Sequence, residues 1–420
     1  MLPSQTRVAV LADAFRLPPS RGRRALAALF SVGEVALLRA AAPSSRLQVL
    51  CQALTVDKLA ADSRVSQAGT AAPVPGVVQA YAWVTMGKLG LASESLAKRL
   101  VPLLVQELQL SKSPAVRNNI MVSLADLCVQ YTALVDAHMG RLVACVHDDC
   151  ELVRKQALAM LVRLLAADYV KCRGALFHQL LLALVDPSAG VRSVAEYVLR
   201  DTLQARMPLL AYNHFMEAAF ILNRCQPVTG LGWASGEAAE ASTDAMASQG
   251  TSLSQFESSG GRYPVAGPSA EAREARRRIY QALLGYMGPE HKAATAAKLC
   301  SMVLAPVAEG GLRIEGNNEE LFLDALWVLA SGHCRVGPGG KGGAAGAEAD
   351  DEAAAAAEQN PAQAVTERAR GALVASLMRK QMADGIVPVF LTLRSRLVEQ
   401  RHPRLREVME TLALICRDYK

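Results

Sequence analysis

The densest group of chemically active side chains lies in the stretch HMGRLVACVHDDCELVRKQAL, residues 138–158. It brings His138, Cys145, His147 and Cys150 together within thirteen residues. Imidazole and thiolate groups bind zinc, which requires three or four ligands converging tetrahedrally at about 2.0–2.3 Å. The residue types and their spacing therefore raise a metal site as one interpretation of this stretch.

A structural interpretation explains the same stretch from the elements around it. Cys145 lies on the apolar side of a helical pattern, where a small thiol packs as an apolar side chain. Asp148 and Asp149 occupy an acidic turn, and they are placed to cap a helix that begins near Glu151. We favour this second interpretation and predict no metal ligands here.

Other signatures of catalysis are missing from the sequence. The glycine-rich run GPGGKGG places Gly342 after Lys341, where a phosphate-binding loop requires Ser or Thr, and no strand pattern precedes it. Neither a nucleophile elbow nor an HExxH motif occurs. We therefore predict no catalytic and no cofactor-binding residues, and we expect that the protein is not an enzyme.

Composition indicates a helical protein. Apolar residues make up 51% of the 420 residues but aromatic residues only 5%, which disfavours β-sandwiches and suits helices of Ala, Leu, Val and Met. The nine cysteines include no CxxC pair and are expected to be reduced thiols of a soluble intracellular protein. No apolar run approaches the roughly 18 residues of a membrane span, so no membrane partner is expected. The net charge of +6 permits an acidic polymer as partner without requiring one.

An internal repeat organises the centre of the chain. The segments PAVRNNIMVSLADL, ELVRKQALAMLVRL and AGVRSVAEYVLRDT align without gaps on a Val-Arg dipeptide, and Arg117, Arg154 and Arg192 lie 37 and 38 residues apart. Apolar residues follow the valine at offsets of four, eight and eleven, which places them on one helical face. This stripe comprises Val116, Ile120, Leu124 and Leu127, then Val153, Ala157, Leu161 and Leu164, then Val191, Ala195 and Leu199, with Thr202 as a weaker last member.

Another apolar helix precedes each of these three helices, so the unit is helix, turn, helix with a period slightly under 40 residues. Such a unit buries its apolar faces only by stacking on its neighbours, and the period is close to that of HEAT repeats. We predict an all-α, HEAT-repeat α-solenoid, an ARM-like superhelix with disordered insertions. A fourth copy is predicted in HPRLREVMETLALICRDY, with Leu405, Met409, Ala413 and Cys416 on the stripe.

The arginine of each Val-Arg pair is predicted to be structural. In stacked helical repeats, an arginine at the start of the second helix pairs with an acidic side chain or a turn carbonyl of the neighbouring unit. Asp148, Asp149 and Asp186 are available for such a ladder. We therefore interpret these three arginines as parts of the repeat and not as ligand-binding groups.

The chain alternates helical blocks with two low-complexity segments. Segments rich in Gly, Ser and Ala, without apolar periodicity, are typical of disordered insertions. The predicted division is 1–75, N-terminal helices; 76–225, HEAT repeats; 226–270, disordered insertion; 271–334, helical repeats; 335–362, disordered Gly/Ala/acidic linker; and 363–420, C-terminal HEAT-like helices.

Basic residues outside the repeat pattern are candidates for contact with DNA. A solenoid that presents Lys and Arg along one ridge binds phosphates without reading sequence. The alternative is that these residues are ordinary solvated helix faces, and periodicity does not decide between the two. The candidates are Lys98, Arg99, Lys155, Arg163, Lys171, Arg173, Arg276, Arg277 and Arg278.

The stretches SPAVRNNIMVSLADLCVQYTALVD and DDCELVRKQALAMLVRLLAADYVKCRGALF closely resemble the HEAT region of condensin D-type subunits. Further along, MPLLAYNHFMEAAFILN and RRRIYQALLGYMGPEHKAATAAKLCSMVLAPVAEG resemble the condensin II version and not the condensin I version. The resemblance covers 80–223 well, 276–310 fairly well and 368–419 weakly to moderately. Family members are several times longer, so the chain is expected to be a fragment.

This resemblance implies a non-catalytic HEAT subunit that acts in mitotic chromosome condensation in the nucleus. Its implied partners are the kleisin subunit, the SMC ATPase heads, the other HEAT subunit, DNA and histone tails. A different function stays open: a HEAT-type peptide-binding adaptor or scaffold in transport or phosphatase assembly, without DNA binding.

Overall fold

A computed structural model provides the structure. The residues it describes are 76–172, 174–225, 265–331 and 385–418, with the isolated positions 27, 29–31, 34 and 380. Their regular secondary structure is helical and includes no strand, in agreement with the all-α prediction. The predicted disordered insertion up to residue 264, the linker 335–362 and most of the predicted segments 1–75 and 363–384 lie outside the described residues.

The chain divides into two compact units, Met1–Gln179 with Ser188–Ala195, and Leu180–Pro187 with Glu196–Lys420. Between residues 76 and 197 the α-helices are α1 Gly76–Leu91, α2 Glu94–Leu110, α3 Pro114–Gln130, α4 Thr132–Asp136, α5 Met139–Ala144, α6 Glu151–Ala166, α7 Gly174–Ala183 and α8 Ala189–Tyr197. Those that follow are α9 Leu210–Leu222, α10 Ala270–Gly285, α11 Pro289–Leu299, α12 Ala305–Glu309, α13 Asn317–Ala330, α14 Val387–Glu399 and α15 Leu405–Asp418.

Shorter helical segments extend some of these helices. A 3₁₀ turn, Cys145–His147, follows α5. A π-helical segment, Val198–Leu203, extends α8 and leads into the single turn Gln204–Arg206. A second π-helical segment, Cys300–Leu304, joins α11 to α12. Among the described residues, none of the helices combines the length and apolar character needed to cross a bilayer.

In the first unit, successive helices stack as the repeat predicts. Helix α3 contacts α1 and α2, and α6 contacts both α3 and α5. Helix α3 begins at Pro114, whose fixed φ suits the first helical position. Val116 and Val153 are 0% and 1% exposed, and Val191 of the third copy is also 0% exposed. The three valines therefore have matching, buried environments.

The rest of the predicted stripe is buried as well, because a helix that packs on both neighbours must bury one continuous face. The buried members are Ile120, Leu124, Leu127, Ala157, Leu161, Leu164, Ala195, Leu199 and Thr202, each at most 9% exposed.

Two glycines allow α1 to approach α2 and α3 closely. A Cβ atom on Gly87 would lie 2.5 Å from Ser123 Oγ and 2.6 Å from Ser123 Cβ. A Cβ atom on Gly90 would lie 3.0 Å from a methyl group of Leu100 and 3.3 Å from one of Leu127. A larger side chain at either glycine would therefore prevent this close approach of the α1 backbone.

Helices α9 to α15 belong to the second unit, which also includes the ends of α7 and α8. Helix α9 contacts α10 and α11, α13 contacts α10, α11 and α15, and α14 contacts α12 and α15. The chain turns between α10 and α11. Gly288 and Pro289 cause this break, because Pro289 cannot continue a helix and occupies the first position of α11. The apolar segment that precedes α6 in the first unit is likewise divided, into α4 and α5.

The predicted stripe of the fourth copy is wrong. Met409, Ala413 and Cys416 are exposed in α15, and Leu405 is only half-buried. The buried face instead comprises Val408, Thr411 and Ile415. Aligning the copy on its Leu-Arg dipeptide placed the wrong face inward. Helix α15 packs on α13 and α14, and these partners select the buried side.

Candidate nucleic-acid interface

Arg117, the arginine of the first repeat, is held by the turn of the next one. Its Nε and Nη2 each donate to a carboxylate oxygen of Asp148 at 2.7 Å, and its Nη1 donates to the Ser111 carbonyl at 2.9 Å. The pair is nearly buried, with 13% and 9% of the two side chains exposed. The hydrogen bond to Asp148 raises the pKa of Arg117. This is the inter-repeat pair that the ladder hypothesis predicts.

Arg154 is also structural and bonds the same turn through its backbone carbonyls. It is 5% exposed, and its Nη1 donates to the carbonyls of Asp148 and Asp149 at 2.9 and 3.2 Å. These carbonyls belong to the turn that precedes its own helix and not to a neighbouring unit. Arg192 lies half-buried near the start of α8.

Asp148 also bonds the backbone next to α6. Its Oδ1 accepts a hydrogen bond from the N–H of Cys150 at 2.8 Å. Cys150 itself occupies the N-cap position, and no side chain caps α6 there. The N-cap residue of α6 is therefore Cys150 and not the predicted Asp148 or Asp149, and the Asp148 carboxylate bonds Arg117 and the Cys150 N–H.

The histidines and cysteines of the opening stretch make separate contacts. His147 Nε2 lies 2.5 Å from Gln179 Oε1. The Cys145 thiol is directed at the Arg141 carbonyl at 3.7 Å, and its burial raises its pKa to about 12. No three of the ligand atoms of this stretch, all of whose residues are described, lie within 4.8 Å of one another. These contacts support the structural interpretation.

The ends of α2 and α5 and the start of α3 line a cleft that contains part of this stretch. Arg117 and Asp148 contribute to its wall, together with Lys112, Arg141 and Asp149. Lys112 and Arg141 are exposed, so they can attract an anion, and neither was among the predicted DNA contacts. The signal that could have found them is their position near the inter-helix turns of consecutive repeats.

Several predicted DNA contacts lie on the surface of the first unit. Lys98 and Arg99 of α2 are exposed, and the Lys98 ammonium pairs with Glu94 at 2.8 Å. Lys171 is exposed after α6. Arg173 lies outside the described residues.

The two candidates on α6 also have acidic partners. Lys155 is half-buried and pairs with Glu151 at 2.6 Å. Arg163 is exposed and pairs with Asp126 of α3 at 2.8 Å. Arg163 thus links the second helices of consecutive repeats, and any phosphate would compete with this partner.

The prediction that Arg276 contacts DNA is wrong. It is 0% exposed, and its Nε and Nη2 donate to Asp324 Oδ2 at 2.6 Å and to Glu320 Oε2 at 2.8 Å. Burial alone would lower the pKa of Arg276, but the hydrogen bonds to Asp324 and Glu320 and the negative charge of Asp324 together outweigh burial and raise it. The arginine faces inward because α13 lies against this side of α10.

The other two members of the arginine triplet differ from Arg276. The Arg277 guanidinium lies 5.3 Å from the centre of the Trp327 ring, and the residue is half-buried. Arg278 is exposed and pairs with Glu274 at 3.4 Å. Three consecutive arginines thus lie in a core, at a core margin and on the surface, as helical rotation requires.

The exposed cations form pairs that a phosphate can replace. Solvent-exposed ion pairs contribute about 0–1 kcal/mol each, so exchanging a carboxylate for a phosphate costs little. Sequence-independent DNA binding relies on such contacts with the phosphate backbone. The surface is therefore chemically able to bind a polyanion, with an affinity that its own carboxylates reduce.

Comparison with known protein families is consistent with this architecture. Two models described as condensin-2 complex subunit D3-like HEAT repeats match residues 23–108 and 342–420. Between them, residues 115–305 match a model described as non-SMC mitotic condensation complex subunit 1. These descriptions set the class of protein: the chain carries the HEAT repeats of a non-SMC condensin subunit.

Individual relatives indicate which kind of condensin subunit the chain is most similar to. The condensin-2 complex subunit CAP-D3 of Arabidopsis thaliana is 34% identical over 82% of this chain and 24% of its own length. The condensin-2 complex subunit D3 of Mus musculus is 28% identical over 93% of this chain and 25% of its own length. Condensin complex subunit 1 of Homo sapiens is 31% identical, but over only 28% of this chain and 8% of its own length.

The chain belongs to the condensin-2 D3-like family, as the resemblance of its repeats predicted. It spans about a quarter of the length of the curated condensin-2 relatives described above.

Proposed function

We propose that this chain is part of a non-catalytic regulatory subunit of the condensin-2 complex that acts in mitotic chromosome condensation on nuclear chromosomes. The observation that carries the proposal is the order of the matches: three condensin models match 23–108, 115–305 and 342–420 in succession. Stacked helix pairs supply an extended surface suited to binding a partner chain. The proposed protein partners are the kleisin, the SMC ATPase heads and the other HEAT subunit.

Affinity purification of the full-length gene product tests this assignment. We expect SMC and kleisin subunits to be recovered with it. A Leu161→Asp variant serves as the control, because a charge in the buried stripe disrupts the repeats and should remove any partner that recognises the folded stack. Recovery of transport or phosphatase components without SMC proteins would refute the proposal.

We further propose that exposed cations of the first unit contact DNA, and histone tails in chromatin are proposed as a further partner. Exposure of Lys98, Arg99, Arg163 and Lys171 supports the DNA contact. The pairs that Lys98 and Arg163 make with carboxylates are solvent-exposed and therefore exchangeable.

Charge reversal tests the proposed DNA surface. Lys171→Glu combined with Arg173→Glu should weaken binding to duplex DNA of arbitrary sequence without lowering the melting temperature. The matched control is Arg394→Glu with Arg406→Glu, which reverses two exposed arginines on α14 and α15. If both pairs reduce affinity equally, net charge and not a defined surface accounts for binding.

A second candidate function is a peptide-binding adaptor that does not contact DNA. The observation that favours it is local neutralisation of the candidate cations by carboxylates. The pairs are Lys98–Glu94, Lys155–Glu151, Arg163–Asp126 and Arg278–Glu274. A surface of mixed sign suits a polypeptide partner better than a polyanion.

A further inference from the structure

A buried ion network in the second unit has no role in the proposed function. Besides its bonds to Arg276, Asp324 Oδ2 accepts a hydrogen bond from the Tyr280 hydroxyl at 3.0 Å. Glu320 also pairs with Arg273, whose Nε donates at 2.8 Å. Arg276, Tyr280, Glu320 and Asp324 are each at most 3% exposed. Charges buried to this extent are tolerated only when well partnered.

The network holds the chain where it leaves α9. Asn223, which ends this helix and is 2% exposed, donates from Nδ2 to Asp324 Oδ2 at 3.0 Å and to the Tyr280 oxygen at 3.1 Å. Two residues later, the N–H of Cys225 donates back to the Phe220 carbonyl at 2.9 Å. The last described residues before the insertion are therefore fixed on the buried network.

The same network holds the chain where it returns. Arg276 Nη1 donates to the carbonyls of Val265 and Gly267 at 2.9 and 3.0 Å. Gly267 has a φ of +98°, which other residues rarely adopt, so the turn that presents these carbonyls depends on glycine. Ser269 then caps α10 by accepting a hydrogen bond from the N–H of Ala272 at 3.1 Å.

Both ends of the segment 226–264 therefore meet at one point. The path from Asn223 through the Asp324 carboxylate and the Arg276 guanidinium to Val265 is roughly 11 Å long. The entropic cost of closing a loop grows only slowly with its length, so a fixed base can carry segments of different lengths at little cost.

We propose that this network is a staple that fixes the base of the segment 226–264. With the staple in place, a change in the length of the segment is not transmitted to α9, α10 or α13. A segment of variable length can therefore be inserted between α9 and α10 without disturbing these helices.

Replacing residues 227–263 by an eight-residue Gly-Ser linker in the full chain tests the proposal. Such a linker has a mean span of about 15 Å, which is enough to join the two fixed ends. We expect the melting temperature to stay within about 2 °C of the original value. A fall as large as that produced by breaking the network would overturn the proposal.

Breaking the network provides the second measurement. Arg276→Met should lower the melting temperature by at least about 5 °C and speed hydrogen exchange of the Ala272 and Arg273 N–H groups, which donate to Ser269. Arg278→Met, on the exposed side of the same helix, is the matched control and should change neither.

A milder variant keeps the test informative if Arg276→Met does not fold. Asn223→Ala leaves the buried charges paired but releases the departing chain from Asp324, so exchange at 223–225 should rise. Unchanged exchange there in the folded variant would show that Asn223 does not hold the chain, and the staple would be refuted.

Discussion

At the scale of single residues, burial decides what a charge does. Arg276 and Arg278 are two positions apart on α10, yet the first is fully buried against two carboxylates and the second is exposed. The difference follows from helical geometry, because only one side of α10 faces α13. A basic residue in the sequence is thus a candidate for DNA contact only after its neighbours are known.

The ion pair between consecutive repeats makes a first prediction. Asp148→Ala should lower the free energy of unfolding by about 3 kcal/mol, because Arg117 stays nearly buried without its carboxylate. Urea denaturation measures the change. Asp149→Ala, at the adjacent exposed position, should stay within about 0.5 kcal/mol of the original protein. Equal losses in both variants would contradict the structural role of the pair.

A second prediction concerns pH. The hydrogen bond from Arg273 lowers the pKa of Glu320 below its ordinary value of 4.5, despite burial. A depressed pKa means that the stabilisation is complete above pH 4.5 and is lost as the pH falls through the lower value of the folded state.

As the pH is lowered from 5, the free energy of unfolding should therefore fall less in the Glu320→Gln variant than in the original protein. Thermal melting at a series of pH values measures this. Parallel pH profiles for the two proteins would show that Glu320 carries no linked stability.

At the scale of elements, close packing and partner choice matter more than propensity. Helices α1 and α3 approach each other at Gly87, where a side chain would overlap Ser123. Helix α15 shows the complementary case, because its neighbours select a buried face that the repeat alignment did not predict. Stacked repeats therefore tolerate sequence change unevenly, with the tightest restriction where two backbones meet.

Gly87→Ala is the third prediction. The added methyl group requires α1 and α3 to separate, which should cost about 1–3 kcal/mol of stability. The matched control is Gly285→Ala near the end of α10, where a Cβ meets no atom within 4 Å. The control should be neutral or slightly stabilising, since alanine favours helix. The denaturant midpoints of the two variants measure these changes. If Gly87→Ala leaves the midpoint unchanged, α1 and α3 are not closely packed at Gly87.

At the scale of the whole molecule, the order of family matches is the strongest constraint on function. The condensin matches extend across both compact units, and the chain represents about a quarter of its condensin-2 relatives. Its net charge of +6 is compatible with an acidic polymer, but many of its cations are paired locally. Charge alone therefore does not separate a chromatin subunit from a peptide adaptor.

Salt dependence separates the two functions and is the fourth prediction. If the chain contacts DNA phosphates, the logarithm of the binding constant should fall linearly with the logarithm of salt concentration. The slope should be about −0.9 for each phosphate neutralised. Fluorescence anisotropy with an arbitrary duplex measures it. An adaptor should show no affinity for the duplex at moderate salt.

The sequence by itself determined the repeat and its buried stripe. Val116, Val153 and Val191 recur at equivalent positions, and the apolar residues at offsets of four, eight and eleven from each valine share one face of its helix. Stacked units must bury that face, so the all-α class and the core of the three repeats followed from local pattern alone. The family resemblance also depended on these residues.

Only the tertiary structure decided which helix lies opposite each side chain. That choice buried Arg276, turned Val408 inward in place of Met409, and directed Arg117 to Asp148. The physical reason is that a periodic pattern specifies a face of a helix but not its neighbour. The energy of a charge or a close contact depends on that neighbour, through burial and the partner it supplies.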